Sequence, residues 1–277
     1  MTTTTLSVTV QNALQELAND GRSPVHKESA TLAVFELRNL SRNSCSNEFA
    51  TGCLLSNEVL RPFLISIHPS NHHLSTLSLS TISQLLPHFS SPTSSPLFSS
   101  LISRCISLSQ SHFTDEQLPV CLLNVSMSLG TLGASLSNEN LLLGCFSVLY
   151  HLSLLKSMYS NVLNSLKNLI SSIFDTSFIE VQLPLLHDFF QISQEEDPQF
   201  LVYQEQKLKF SPDFGLIFLQ TAFASNLKLF KNNQLLLTKV QSSICPLYIH
   251  LFRKRFQTTY LLPCLIFLLL FLLISLN

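Results

Sequence analysis

Three histidines, His68, His72 and His73, crowd the stretch IHPSNHHLS. Imidazole is the commonest protein ligand for transition metals, so metal binding is the first chemistry this spacing raises. A metal site needs several converging donors, and no cysteine or carboxylate stands at ligand spacing beside these three. Pro69, Ser70 and Asn71 instead mark an exposed turn between two helices, where histidines are solvated. Nucleophilic chemistry fares no better. Serine is abundant, but no G-x-S-x-G elbow occurs. GTLGAS, from Gly130 to Ser135, lacks the pattern and the lysine of a phosphate-binding loop and reads as a helix end. The residues therefore predict no catalytic, cofactor-binding or metal-binding site, and a chain that is not an enzyme.

Charged positions carry the remaining signals. Arg61 in VLRPFL and Asp175 in IFDTSF flank apolar stripes, as solvated or helix-capping groups do. Arg253, Lys254 and Arg255 differ, because three adjacent cations precede the uncharged stretch YLLPCLIFLLLFLLISLN, Tyr260 to Asn277. Such a cluster suits contact with anionic lipid at about 1 kcal/mol per residue, or an ordinary exposed turn. From Tyr260 to Leu276 a helix of about 17 residues would reach roughly 25 Å, the lower limit for a hydrocarbon core of about 30 Å. The expectation is a tail that associates with membrane or aggregates, with the basic cluster on the cytosolic side.

The elements that must carry these residues are helical. Apolar residues make up 46% of the 277 and charged residues 12%, with a net charge of −1, so the chain can bury a core but lacks the basic surface that nucleic acid requires. Six glycines are few, and proline tends to stand between apolar segments, as in helices joined by short turns. The seven cysteines are scattered, which predicts reduced, buried thiols and no disulfide framework. The amino terminus lacks the features of a secretory signal, in keeping with a cytosolic setting.

Val10, Leu14 and Leu17 share one face of a first helix, which Gly21 can end. Ser23 can cap the second, with Pro24 in its first turn and Val25, Ser29, Leu32, Phe35 and Leu37 to Leu40 as its buried stripe. Six further helices follow from Asn57 to Asp175, each opening near Asn, Asp or Pro, and runs such as Leu141 to Leu143 and Leu152 to Leu155 call for neighbours on more than one side. Ser90 to Pro96 reads as a loop. HDFFQISQEEDPQFLVYQEQKLKFSPD, with Glu195, Glu196 and Asp197 before Pro198, reads as a long, partly ordered connection. Helices resume at Phe214, with Phe218, Phe223, Leu227 and Phe230 on one stripe and a break at Cys245 and Pro246. The whole predicts an all-α fold, an α-solenoid or armadillo-like helical stack, without a strict sequence period.

The order NEVLRPFLISI, HLSTLSLSTISQLLPHF and then three helices ending in NVLNSLKNLISSIFD resembles the dimerisation and cyclophilin-binding region of the large Arf guanine-nucleotide exchange factors. Within that family it is most similar to the Mon-two type of endosome-to-Golgi trafficking scaffold, which lacks the exchange domain. The likeness runs over roughly residues 8 to 252, where Cys245, Pro246, Leu247 and Phe252 resemble the opening of the family's next helical block. NVLNSLKN departs from the family's run of small residues. The resemblance implies an N-terminal helical domain over residues 1–178, a linker over 179–212, the start of a second helical-repeat region over 213–256 and an apolar tail over 257–277, as a truncated form of a longer scaffold. It implies self-association, docking of Arf-like small GTPases or trafficking adaptors, and a place on the cytoplasmic face of Golgi and endosomal membranes or in the cytosol. No residue matches the family's catalytic glutamate, so nucleotide exchange is not expected. The rival expectation is a tail-anchored membrane protein whose helical cytosolic domain serves another purpose.

Overall fold

The computed structural model describes residues 3–20, 24–42, 45–91, 96–113, 115–176, 178–225, 227–240, 242 and 246. The chain divides into two compact units that meet at Val162 and Leu163. The fold is all-α, a stack in which successive helices pack on near neighbours along the chain.

In the first unit α1 (Thr3–Asp20) packs on α2 (Pro24–Ser41), and α2 on α4 (Asn57–Ser66), with α3 (Ser46–Leu55) between them in sequence. A short turn of 3₁₀ helix, Leu86–His88, follows α5 (His72–Leu85) and packs on α3. Next come α6 (Pro96–Ser109), α7 (Gln117–Ser135) and α8 (Glu139–Ser153), where α5 packs on α7, and α7 and α6 on α8. The next helix, α9 (Tyr159–Phe174), runs across the boundary between the units.

Side-chain oxygens set several of the helix starts. The Ser56 hydroxyl accepts from the Val59 N–H at 3.3 Å, Asn71 Oδ1 from Leu74 at 3.2 Å and Asn138 Oδ1 from Leu141 at 3.1 Å. Asp115 Oδ1 accepts from the Gln117 N–H at 2.9 Å just ahead of α7. Leu141 to Leu149 is buried without a break, so α8 has neighbours all round, as the leucine run predicts. Leu152 is buried as well, but Leu154 is exposed at the end of that run. GTLGAS forms the last turns of α7, as expected. That helix is long and apolar enough to cross a membrane, but it is more than half buried against its neighbours, the pattern of a core helix.

The second unit corrects the expectation of a linker over 179–212. Residues 179–193 form α10 (Ile179–Ser193), and Val202–Tyr203 (β1) pairs antiparallel with Gln206–Lys207 (β2) in a hairpin. Gln204 and Glu205 turn it at φ 48° and 65°, the left-handed pair that a two-residue hairpin turn needs. Buried Asp188 holds this segment: its carboxylate accepts from the N–H groups of Gln199, Phe200 and Leu201 at 2.9, 2.8 and 2.6 Å. Burial pushes the Asp188 carboxyl above its usual range and the three donors pull it partly back.

The chain then forms α11 (Pro212–Ser225), α12 (Leu227–Asn232) and α13 (Gln234–Lys239). Phe214, Phe218, Phe223 and Phe230 are buried as predicted, with Phe189 and Phe218 ring centroids 5.0 Å apart and Phe223 and Phe230 4.6 Å apart. Gly215 lets α11 lie against α10. A Cβ there would come within 2.5 Å of the Ser193 nitrogen and 2.7 Å of the Phe189 carbonyl oxygen.

Two prolines depart from expectation. Pro62 lies inside α4 and Pro184 inside α10. Each withholds one hydrogen bond from the carbonyl four residues back, which belongs to Glu58 and Glu180, both exposed and within reach of water. The expected stop at Gly21, the cap at Ser23 and the residues Cys245, Leu247 and Phe252 lie outside the described residues, as does the tail over 257–277.

Candidate functional site

The outward face of α2 is where the structure departs furthest from the sequence. Val25, Leu32 and Phe35 do not join Leu37 in a buried stripe. They are 53%, 58% and 68% exposed, while Ser29, Ala30, Ala33 and Leu37 form the buried face. At 100° per residue the three exposed side chains fall within about 80° of arc. The physical reason is closeness. Alanine and serine let α2 approach α1 and α4 at short range, and the bulky residues are left outside. Ser29, Ala33 and Leu37, four apart, were the signal in the sequence for that burial.

Val25 and Leu32 open onto a groove of about 250 Å³ between α2 and the start of α4, rimmed by Glu28, Glu58 and Arg61. Ser56 Oγ donates to Glu58 Oε2 at 3.3 Å, which steadies that carboxylate. Arg61 is exposed and has no ion-pair partner among the described residues, so its guanidinium is available to an outside carboxylate. Sequence reasoning placed Arg61 as a solvated flank of α4; it is solvated, and it also borders an apolar face. Such a face, apolar in the middle with both charge signs at its edge, has the make-up of a protein-contact surface.

The other residues singled out in the sequence are placed as follows. His68 stands in the turn between α4 and α5, with Nδ1 2.8 Å from Ser70 Oγ. His73 Nε2 lies 3.4 Å from Glu16 Oε1 at the surface. Among the described residues no group of three or more His, Cys, Asp or Glu side chains is placed to hold a metal ion. Asp175 is exposed at the end of α9. Arg253, Lys254 and Arg255 lie outside the described residues.

Cysteines divide. Cys53, Cys105 and Cys145 are buried, as expected, and burial pushes the Cys53 and Cys105 thiols up to about 12. Cys45 is exposed and Cys121 half-buried, against the expectation of uniform burial: the polar break that holds Cys45 puts it outside the core, just ahead of α3.

No family model, curated protein or solved structure matches this chain. Chemistry must therefore be judged from geometry, and one buried pair in the first unit invites the test. Ser109 Oγ is 3.3 Å from His151 Nδ1, and Gln110 Nε2 is 3.4 Å from His151 Nε2. The Ser109 hydroxyl donates to the Ile106 carbonyl at 2.8 Å, so the proton in the Ser–His contact sits on Nδ1. In that arrangement the serine proton is committed to a backbone carbonyl and not to the imidazole. Burial holds His151 below its ordinary 6.5, partly offset by its hydrogen bond to the Ser147 backbone. Sequence reasoning missed the pair, because Ser109 and His151 lie 42 positions apart on different helices.

Proposed function

We propose that this chain is a non-enzymatic helical scaffold that works by protein contact, with a second copy of itself seated on the outward face of α2. The observation that carries this reading is the apolar run Val25, Leu32 and Phe35 beside the groove of Glu28, Glu58 and Arg61. A two-fold interface brings one patch against itself, so charges of both signs on that patch can pair across it. Here Arg61 of one copy can face Glu28 or Glu58 of the other while the apolar residues meet at the centre. By the resemblance to the Mon-two type, the scaffold serves vesicle traffic between endosomes and the Golgi, with Arf-like small GTPases or trafficking adaptors as further partners.

Sedimentation equilibrium of the full chain in mild detergent tests the contact. A concentration-dependent dimer that disappears in the double variant Leu32→Asp, Phe35→Asp is the expected result; a monomer at every concentration, or a dimer indifferent to the substitutions, overturns it. Affinity capture from cytosolic and membrane fractions tests the setting. Recovery of Golgi small GTPases or adaptors is expected, and an integral-membrane protein that brings down neither would favour the tail-anchored alternative.

A further inference from the structure

A second cavity in the first unit, about 460 Å³, lies where α2, the turn between α4 and α5, and α6 face one another. Its polar lining offers several hydrogen-bond donors. His68 Nδ1 accepts from the Ser70 N–H at 3.2 Å, which leaves the ring proton on Nε2 as a donor. Asn71 Oδ1 is engaged by the Leu74 N–H, so its side-chain NH₂ is the end left to bond. Arg104 of α6 lines the same cavity, half-buried, with no ion-pair partner among the described residues. His26 of α2 adds a buried Nδ1 that has no hydrogen-bond partner among the described residues. No carboxylate is among the lining residues, whose ionisable members are His26, His68 and Arg104.

A permanently charged fork of N–H groups, an N–H on one imidazole, an amide NH₂ and a second imidazole with an unanswered nitrogen together ask for an anion rich in acceptor oxygens. A bare ion does not need a cavity of this size, nor the apolar side chains of Ile65 and Leu74 in its wall. We propose that this cavity binds a phosphate monoester carrying an organic body, with Arg104 gripping two phosphate oxygens, His68 and Asn71 donating to the others, and Ile65 and Leu74 against the body. The ester can come from a soluble metabolite or from a phosphorylated lipid headgroup. The inference is independent of self-association, because the cavity and the apolar run Val25, Leu32 and Phe35 are lined by different residues.

Three probes separate the sources when applied to the full chain in detergent and to vesicles: inorganic phosphate, glycerol phosphate, and phosphatidylcholine vesicles with or without a phosphoinositide. Glycerol phosphate bound more tightly than inorganic phosphate, by calorimetry, assigns a soluble ester. Vesicle binding that depends on the phosphoinositide, without glycerol phosphate binding, assigns the lipid. In either case Arg104→Gln should weaken binding about tenfold or more and His26→Gln by a smaller factor, with the melting temperature of both near that of the parent. Vesicle binding driven by the apolar tail is recognised by its indifference to phosphoinositide and to Arg104→Gln. That result, or affinity for the phosphate probes unchanged in Arg104→Gln, or no response to any of them at millimolar concentration, overturns the proposal.

Discussion

His151 is a buried base whose protonation state is tied to stability. Its folded-state value lies below the ordinary 6.5, so the neutral ring is favoured by folding. The stability this contributes is fully present above 6.5 and is lost as pH falls through the lower folded value. A plot of melting temperature against pH should therefore turn down below 6.5, and His151→Gln, which keeps a polar group beside Ser109 and Gln110, should flatten that part of the curve. An unchanged slope in the variant would assign the acid sensitivity to other groups. Thiols offer a second check at this scale. Maleimide labelling of the native chain should reach Cys45 first and Cys53, Cys105 and Cys145 only on unfolding, since reaction needs an accessible thiolate. Rapid labelling of all four would show that the first unit opens readily.

At the scale of elements, two contacts in the second unit can be tested directly. Asp188→Ala leaves three backbone N–H groups around Leu201 without their acceptor, and should cost about 3 kcal/mol by chemical denaturation, with early amide exchange at residues 199–201. A loss well under 1 kcal/mol would mean that water replaces the carboxylate freely. Gly215→Ala forces α10 and α11 apart at a backbone contact with no flexible side chain to yield, and should cost about 1–3 kcal/mol. The ion pairs of Asp197 with Lys207 and Lys209, at 3.1 and 3.0 Å, are exposed and belong to a weaker class of contact.

Elements of this kind were unevenly legible. Asn71 and Asn138 announce α5 and α8 because a cap is local chemistry, written within four residues. The segment 179–212 hid its order because what organises it is a buried aspartate, which reads as a solvated charge until its three partners are seen. Helix α2 was found, but its orientation was misread: the choice of face was made by small residues meeting α1 and α4, a matter of distance between helices that side-chain hydrophobicity does not encode. The groove on α2 and the cavity near Arg104 were invisible for the same reason, each being assembled from separate helices.

For the whole molecule, the arrangement of contacts matters more than any one of them. In the first unit α2 rests on α1, α4 on α2, α8 on α7, so most helices find a partner one or two elements earlier in the chain. Closing short loops costs little chain entropy, and folds rich in local contacts form quickly. During synthesis the chain emerges amino end first at about 5–20 residues per second. The pair α1 and α2 can therefore pack on each other before α8 has left the ribosome, and the stack lengthens from one end. The side of α2 that bears Phe35 is then exposed while the later helices are still being made. Two chains being made side by side on one message could meet through it before either is finished.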